Sequence, residues 1–115
     1  MSSFLELYGS RIEVILANND DMALGAVDAL HDQGIEAGSS EWPMILGVDG
    51  TAVGMRAVEN GELLGTVIND AKGQAQGMLE LARAITAEKE LDQRFQLLEG
   101  KYIRLPYRKV TGETI

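Results

Sequence analysis

One unit recurs three times along this chain: a short apolar run, an Asn or Asp at its end, then a switch to helical periodicity. Ile12-Glu-Val-Ile-Leu-Ala17 is β-branched and apolar, bounded by Gly9-Ser10 and by Asn18-Asn19-Asp20-Asp21. That pattern is a buried strand ending in turn and cap chemistry. Met22, Ala26 and Leu30 then recur every four residues, with Ala23 and Val27 beside them. They mark an amphipathic helix, capped by Asp20 or Asp21 and stopped at Gly34. Pro43-Met-Ile-Leu-Gly-Val48 repeats the strand, ending in Asp49-Gly50, and Thr51 to Asn60 the helix. Leu63-Leu-Gly-Thr-Val-Ile68 repeats it again, ending in Asn69-Asp70. Its helix is predicted over Ala71–Glu90, with Ala71, Ala75, Met78, Leu79, Ala82 and Ile85 on one face. Tyr102-Ile-Arg-Leu-Pro-Tyr107 is expected to be a final strand, with Pro106 at its edge or end.

Strands that alternate with helices are joined by right-handed crossovers and form a mostly parallel sheet. The internal strands are apolar on both faces, as expected where helices cover both sides of such a sheet. The fold class is therefore α/β, a mostly parallel sheet with helices on both faces. With 115 residues the chain has room for one domain, residues 1–115. Four strands are few for this architecture, and Phe4-Leu-Glu-Leu-Tyr8 reads as the end of a helix. The sheet is expected to be an incomplete one.

Composition removes several classes of function. There is no Cys and a single His, His31, which excludes disulfides, cysteine-ligated metals and histidine clusters. No apolar run approaches the ~20 residues that span a bilayer. Met1-Ser-Ser-Phe-Leu-Glu6 lacks the basic n-region and long apolar stretch of a signal peptide. The net charge of −8 repels phosphate backbones and anionic lipid, which argues against nucleic-acid or membrane partners. Lys101, Arg104, Arg108 and Lys109 read as solvated strand and loop positions.

The polar groups are expected to converge at one place. In open parallel sheets the carboxyl ends of the strands share one edge, and ligands bind in the crevice there. Asn19, Asp49 and Asn69 fall at three such ends. Two amides, each donor and acceptor, with one carboxylate that only accepts, suit a neutral polyol whose hydroxyls give and take hydrogen bonds. The same residue types also cap helices. Asp20 or Asp21 and Asp70 can take that role, leaving Asn19 and Asn69 to face outward.

The stretches Ile12-Glu-Val-Ile-Leu-Ala-Asn-Asn-Asp-Asp-Met-Ala-Leu-Gly, Gly47-Val-Asp-Gly50, Leu64-Gly-Thr-Val-Ile-Asn-Asp-Ala71 and Ile103-Arg-Leu-Pro-Tyr107 stand in this order. Over Phe4 to about Thr111 the chain resembles the C-terminal third of the periplasmic galactose/glucose-binding proteins, type I solute-binding components of sugar ABC transporters. The resemblance implies sugar-hydroxyl binding by Asn19, Asp49 and Asn69, a permease as partner and a periplasmic or cell-envelope location. It implies too that the helix at 71–90 belongs to a second lobe, with Asn69-Asp70-Ala71 as the hinge. Glu13 matches a family calcium ligand. One carboxylate does not satisfy an ion that takes six to eight oxygens, so calcium is not expected in this chain alone, nor is any other cofactor.

Other residues have plainer readings. Trp42, ahead of its strand, is expected at the edge opposite the mouth as a loop anchor. His31 is expected near a helix C-terminus, in a dipole contact or exposed, and Met22 and Met78 are read as core. A lactose-repressor-type regulator core shares this fold, and it stands as the alternative function. A phospho-accepting receiver would need a second strand–helix unit between its acidic pair and its acceptor, and a lysine in a context that Lys109 lacks. No serine has a triad partner in view and no Gly-rich phosphate loop follows the first strand, so the chain is not read as an enzyme. A half-cleft is expected to bind glucose or galactose weakly or not at all. The uncovered sheet edge and helix predict a homo-oligomer, with Ala71–Glu90 or Tyr102–Tyr107 packed on a partner chain.

Overall fold

A computed structural model of the chain describes residues 1–87 and 97–115. They form two compact units, one of Met1–Asn69 with Arg108–Ile115 and one of Asp70–Tyr107. In the first, a short helix α1 (Ser2–Tyr8) and a single 3-10 turn lead into β1 (Val14–Leu16), α2 (Asp20–Asp32), β2 (Met44–Leu46), α3 (Ala52–Glu59) and β3 (Gly65–Ile68). The strand β4 (Arg108–Thr111) completes a sheet of order β1-β2-β3-β4. The first three strands run parallel, Val14 opposite Met44 and Leu46 opposite Gly65. β4 lies antiparallel to β3, with Thr66 opposite Val110.

α2 buries Ala23, Ala26, Val27 and Leu30, spaced three, four and seven residues from the first. With Ile45 from β2, Ala57 and Val58 from α3, Leu63 and Leu5, most of this stripe forms one core. Full burial of side chains such as Leu30, Ile45 and Leu63 contributes roughly 1.5–3 kcal/mol each. Met22 lies one position off the stripe and is 58% exposed, so the expectation that it is core does not hold. The register of the stripe is set by Ala23, not Met22.

The core lies on one face of the sheet. Ile15 and Ile45 point into it, whereas Val14, Leu16 and Met44, alternate residues of the same strands, are exposed, Leu16 at 75%. The two edges of the sheet differ in chemistry. β4 carries Arg108 and Lys109, charges of the kind that protect an edge from pairing, while β1 presents Val14 and Leu16.

The last strand is not where the sequence reading puts it. Among Tyr102–Tyr107 only Tyr102 joins a bridge, to Leu98, and the ladder begins at Arg108. Pro106 has no N–H to donate, so the chain takes up pairing two residues after it.

In the second unit, Asp70 caps the helix α4 (Ala71–Thr86), its Oδ1 accepting from the N–H of Gly73 at 2.9 Å. The part of the predicted helix beyond residue 87 runs into positions 88–90, outside the described residues. The face predicted to be buried is open: Met78 is 66% exposed, and Leu79 and Ile85 are exposed too. Apolar periodicity states that a face seeks cover, and within α4 only Ala84 is buried.

Candidate functional site

At the carboxyl ends of β1, β2 and β3 the chain turns into its helices, and at each turn a polar side chain is fixed by backbone geometry. Asn19 is the N-cap of α2, with extended backbone and its Oδ1 accepting from the N–H of Met22 at 2.8 Å. This corrects the expectation that Asp20 or Asp21 caps. The cap engages only the oxygen, so the two hydrogens on Nδ2 stay outside it. Thr51 caps α3 in the same way, through the N–H of Gly54.

Asp49, three residues past β2 and bridged to Ile68, has φ at 110°, a region L-residues rarely occupy, and its side chain is exposed. Holding such a backbone costs about 1–3 kcal/mol, and such residues cluster at ligand sites. Its N–H donates to the carbonyl of Val67 at 2.8 Å, which ties the turn to β3. Asn69, at the end of β3, donates from Nδ2 to Oδ1 of Asp49 at 3.1 Å. The structure therefore brings Asn69 and Asp49 into contact. Asn19 stands at the same sheet edge, because the N–H of its neighbour Asp20 donates to the carbonyl of Val48 at 2.8 Å.

Beneath this edge lies a residue that sequence reasoning placed wrongly. Asp20 is fully buried. Its Oδ2 accepts from the N–H of Thr51 at 2.7 Å and from the Thr51 hydroxyl at 3.0 Å, and its Oδ1 from the Thr66 hydroxyl at 2.5 Å. Three donors and the N-terminus of α2 offset the desolvation of this carboxylate. Gly47 and Gly54 flank it so closely that a Cβ on either would overlap the carboxylate oxygens. The signals in the sequence were a Thr inside an apolar strand and a Gly at each flanking position.

The other singled-out residues lie away from the mouth. Trp42 is half-buried against the core and donates from Nε1 to the carbonyl of Glu62 at 3.2 Å, the anchoring role expected of it. His31, in the last turn of α2, has its ring 5.4 Å from that of Trp42 and its Nε2 3.9 Å from Glu36. Glu13 is exposed at the start of β1, the end of the strand remote from Asn19. Among the described residues no three His, Cys, Asp or Glu gather to hold a metal ion, and Glu13 alone does not fit calcium.

Amide and carboxylate groups here stand at the switch from parallel strands to helices, the place where open α/β sheets in general bind ligands. The family model of the periplasmic binding protein domain matches residues 1–90, and the chain belongs to that family. It is 35% identical over 105 residues to a D-galactose/methyl-galactoside binding periplasmic protein of Haemophilus influenzae, covering 90% of this chain and 30% of that one. It is 35% identical over 85 residues to a xylitol-binding protein of Mycolicibacterium smegmatis, covering 74% of this chain and 23% of that one. Of solved structures, an ABC transporter periplasmic solute binding protein from Actinobacillus succinogenes with bound D-allose superposes on 98% of this chain and 35% of its own, at a TM-score of 0.80 and 24% identity. The fold is the type I periplasmic-binding fold, and this chain spans about a quarter to a third of the length of these relatives.

Proposed function

We propose that this chain forms part of the sugar site of a solute-binding protein serving an ABC transporter in the periplasm or cell envelope. Asn19, Asp49 and Asn69 hydrogen-bond the hydroxyls of a monosaccharide of the galactose or glucose kind. The chain binds and does not catalyse, its partner beyond the sugar is a permease, and the helix at 71–90 belongs to the opposite lobe of the cleft. One observation carries the reading: the contact between Asn69 and Asp49 at the strand ends, with Asp49 held at an unfavourable φ. The relatives named above are binding proteins, which favours this reading over that of a regulator's ligand-binding core.

One wall of a cleft leaves much of a sugar in water, so the affinity of this chain is weak, with a dissociation constant in the millimolar range, about −4 kcal/mol. The test is titration of the isotope-labelled chain with D-galactose, D-glucose and xylitol, followed by the side-chain amide resonances of Asn19 and Asn69 in NMR spectra. Saturable shifts of both, lost in Asp49→Ala, are expected. Shifts confined to other residues, or none with any of the three, would overturn the reading.

A further inference from the structure

Asp20 and Thr66 make no use of their polar groups at the surface, yet they hold the turn that carries Asp49. The two residues after Asp49 are both fastened to this pair. The N–H of Gly50 donates to Oγ1 of Thr66 at 3.3 Å, and the N–H of Thr51 to Oδ2 of Asp20 at 2.7 Å. The Thr66 hydroxyl in turn donates to Oδ1 of Asp20. A backbone at φ 110° persists only where its surroundings over-determine it, and here the fixed points are two amides, one hydroxyl and one carboxylate.

We infer that Asp20 and Thr66 are positioning residues, which hold Asp49 in its strained backbone and so aim its carboxylate at Asn69 and the mouth. Thr66 is suited to the task because its hydroxyl accepts from Gly50 and donates to Asp20 together, which valine of the same shape cannot do. Asp20 is suited because a carboxylate accepts from three donors without offering a hydrogen of its own. The glycines at 47 and 54 admit the carboxylate to a place where any side chain would displace it. The pair therefore has a role beyond stabilising the fold: it sets the direction of one ligand-contacting group. Its importance for sugar rests on the proposed function, whereas its effect on Asp49 does not.

The test compares the wild-type chain with Thr66→Val, Thr66→Ser and Asp21→Asn, the last an exposed neighbour outside the network. A strong intraresidue NOE between the amide proton and Hα of Asp49 marks positive φ. In the wild type this NOE is expected, together with slow hydrogen exchange at Gly50 and Thr51. Thr66→Val is expected to lose the NOE, to shift the Asn69 side-chain amide and to weaken any sugar response at least tenfold. Thr66→Ser restores all three, and Asp21→Asn changes none. A Thr66→Val chain that is less stable but keeps the NOE and the Asn69 resonance would show a merely structural role and overturn the inference. So would fast exchange at Gly50 and Thr51 in the wild type, a result that needs no variant to fold. A wild type that ignores sugar but loses the NOE in Thr66→Val refutes the proposed function and leaves this inference standing.

Discussion

The side-chain amide of Asn69 donates to the carboxylate of Asp49 across 3.1 Å, joining the turn after β2 to the residue that follows β3. A single hydrogen bond of this kind, half in solvent, contributes little to stability. Its use lies in fixing where a donor and an acceptor stand relative to one another. That bond engages one Asp49 oxygen and the Asn69 amide nitrogen; on the proposed function, the second Asp49 oxygen and the Asn69 carbonyl meet a sugar hydroxyl.

Asp49→Gly separates stability from binding. Glycine adopts φ 110° without the steric cost that aspartate bears, so the variant is expected to gain about 1 kcal/mol, less its greater unfolded-state entropy. Thermal melts should show a rise of a few degrees, roughly 4–8 °C per kcal/mol for a domain of this size. The same variant should lose the sugar response, because the carboxylate is gone. A melt below that of the wild type would show that Asp49 is not strained.

Asn19 has two duties that a pair of substitutions pulls apart. Asn19→Ala removes the cap of α2 and should cost about 1 kcal/mol in urea unfolding. Asn19→Ser keeps a capping oxygen and should stay within ~0.5 kcal/mol of the wild type. Both lack the Nδ2 donor, so both should weaken sugar binding. Equal stability losses in the two would deny the capping role.

Gly54→Ala tests the space around Asp20. The added methyl would meet the carboxylate and Cβ of a fully buried residue whose oxygens are already engaged. Overpacking of that kind should cost about 2–3 kcal/mol. Gly25→Ala has open space around its Cβ and should be neutral or slightly stabilising in the helix. Chemical denaturation of the two variants decides the matter.

The open apolar surface of the sheet should drive self-association. Val14, Leu16 and Met44 are exposed at and beside β1, which is an edge strand of the sheet among the described residues. Light scattering at micromolar concentration should report a dimer or larger species, and Leu16→Lys should shift it towards monomer. A monomeric wild type would contradict this. An oligomer untouched by Leu16→Lys would move the contact to another surface, of which the exposed face of α4 is the first to try.

How much of this was legible depended on the range over which each signal acts. The β1–α2, β2–α3 and β3–α4 junctions were plain, because an apolar run followed by Asn or Asp and a new period is a local pattern. The cap at Asp70 was equally local. β4 was missed because a charged edge strand turns only Val110 fully inward, and one buried residue has no period. The α2 stripe was legible in Ala23, Ala26, Val27 and Leu30, and only Met22, four residues before Ala26, was wrongly added to it. Asp20 was the deepest miss: its partners Thr51 and Thr66 are 31 and 46 residues away, and an Asp beside an Asp at a helix start looks like a cap.

The sheet is closed by a strand that arrives late. β4 follows the whole of Asp70–Tyr107, yet it belongs to the unit whose other strands precede that segment. During vectorial synthesis at about 5–20 residues per second, β3 waits roughly two to eight seconds for its neighbour. Through that interval β3 lacks the neighbour that β4 supplies, while Asp20, Thr51 and Thr66 are already synthesised and available to lock the turns. The mouth can thus be built on the ribosome before the sheet behind it is finished, and the intermediate exposed in the meantime is the one a holding chaperone would have to recognise.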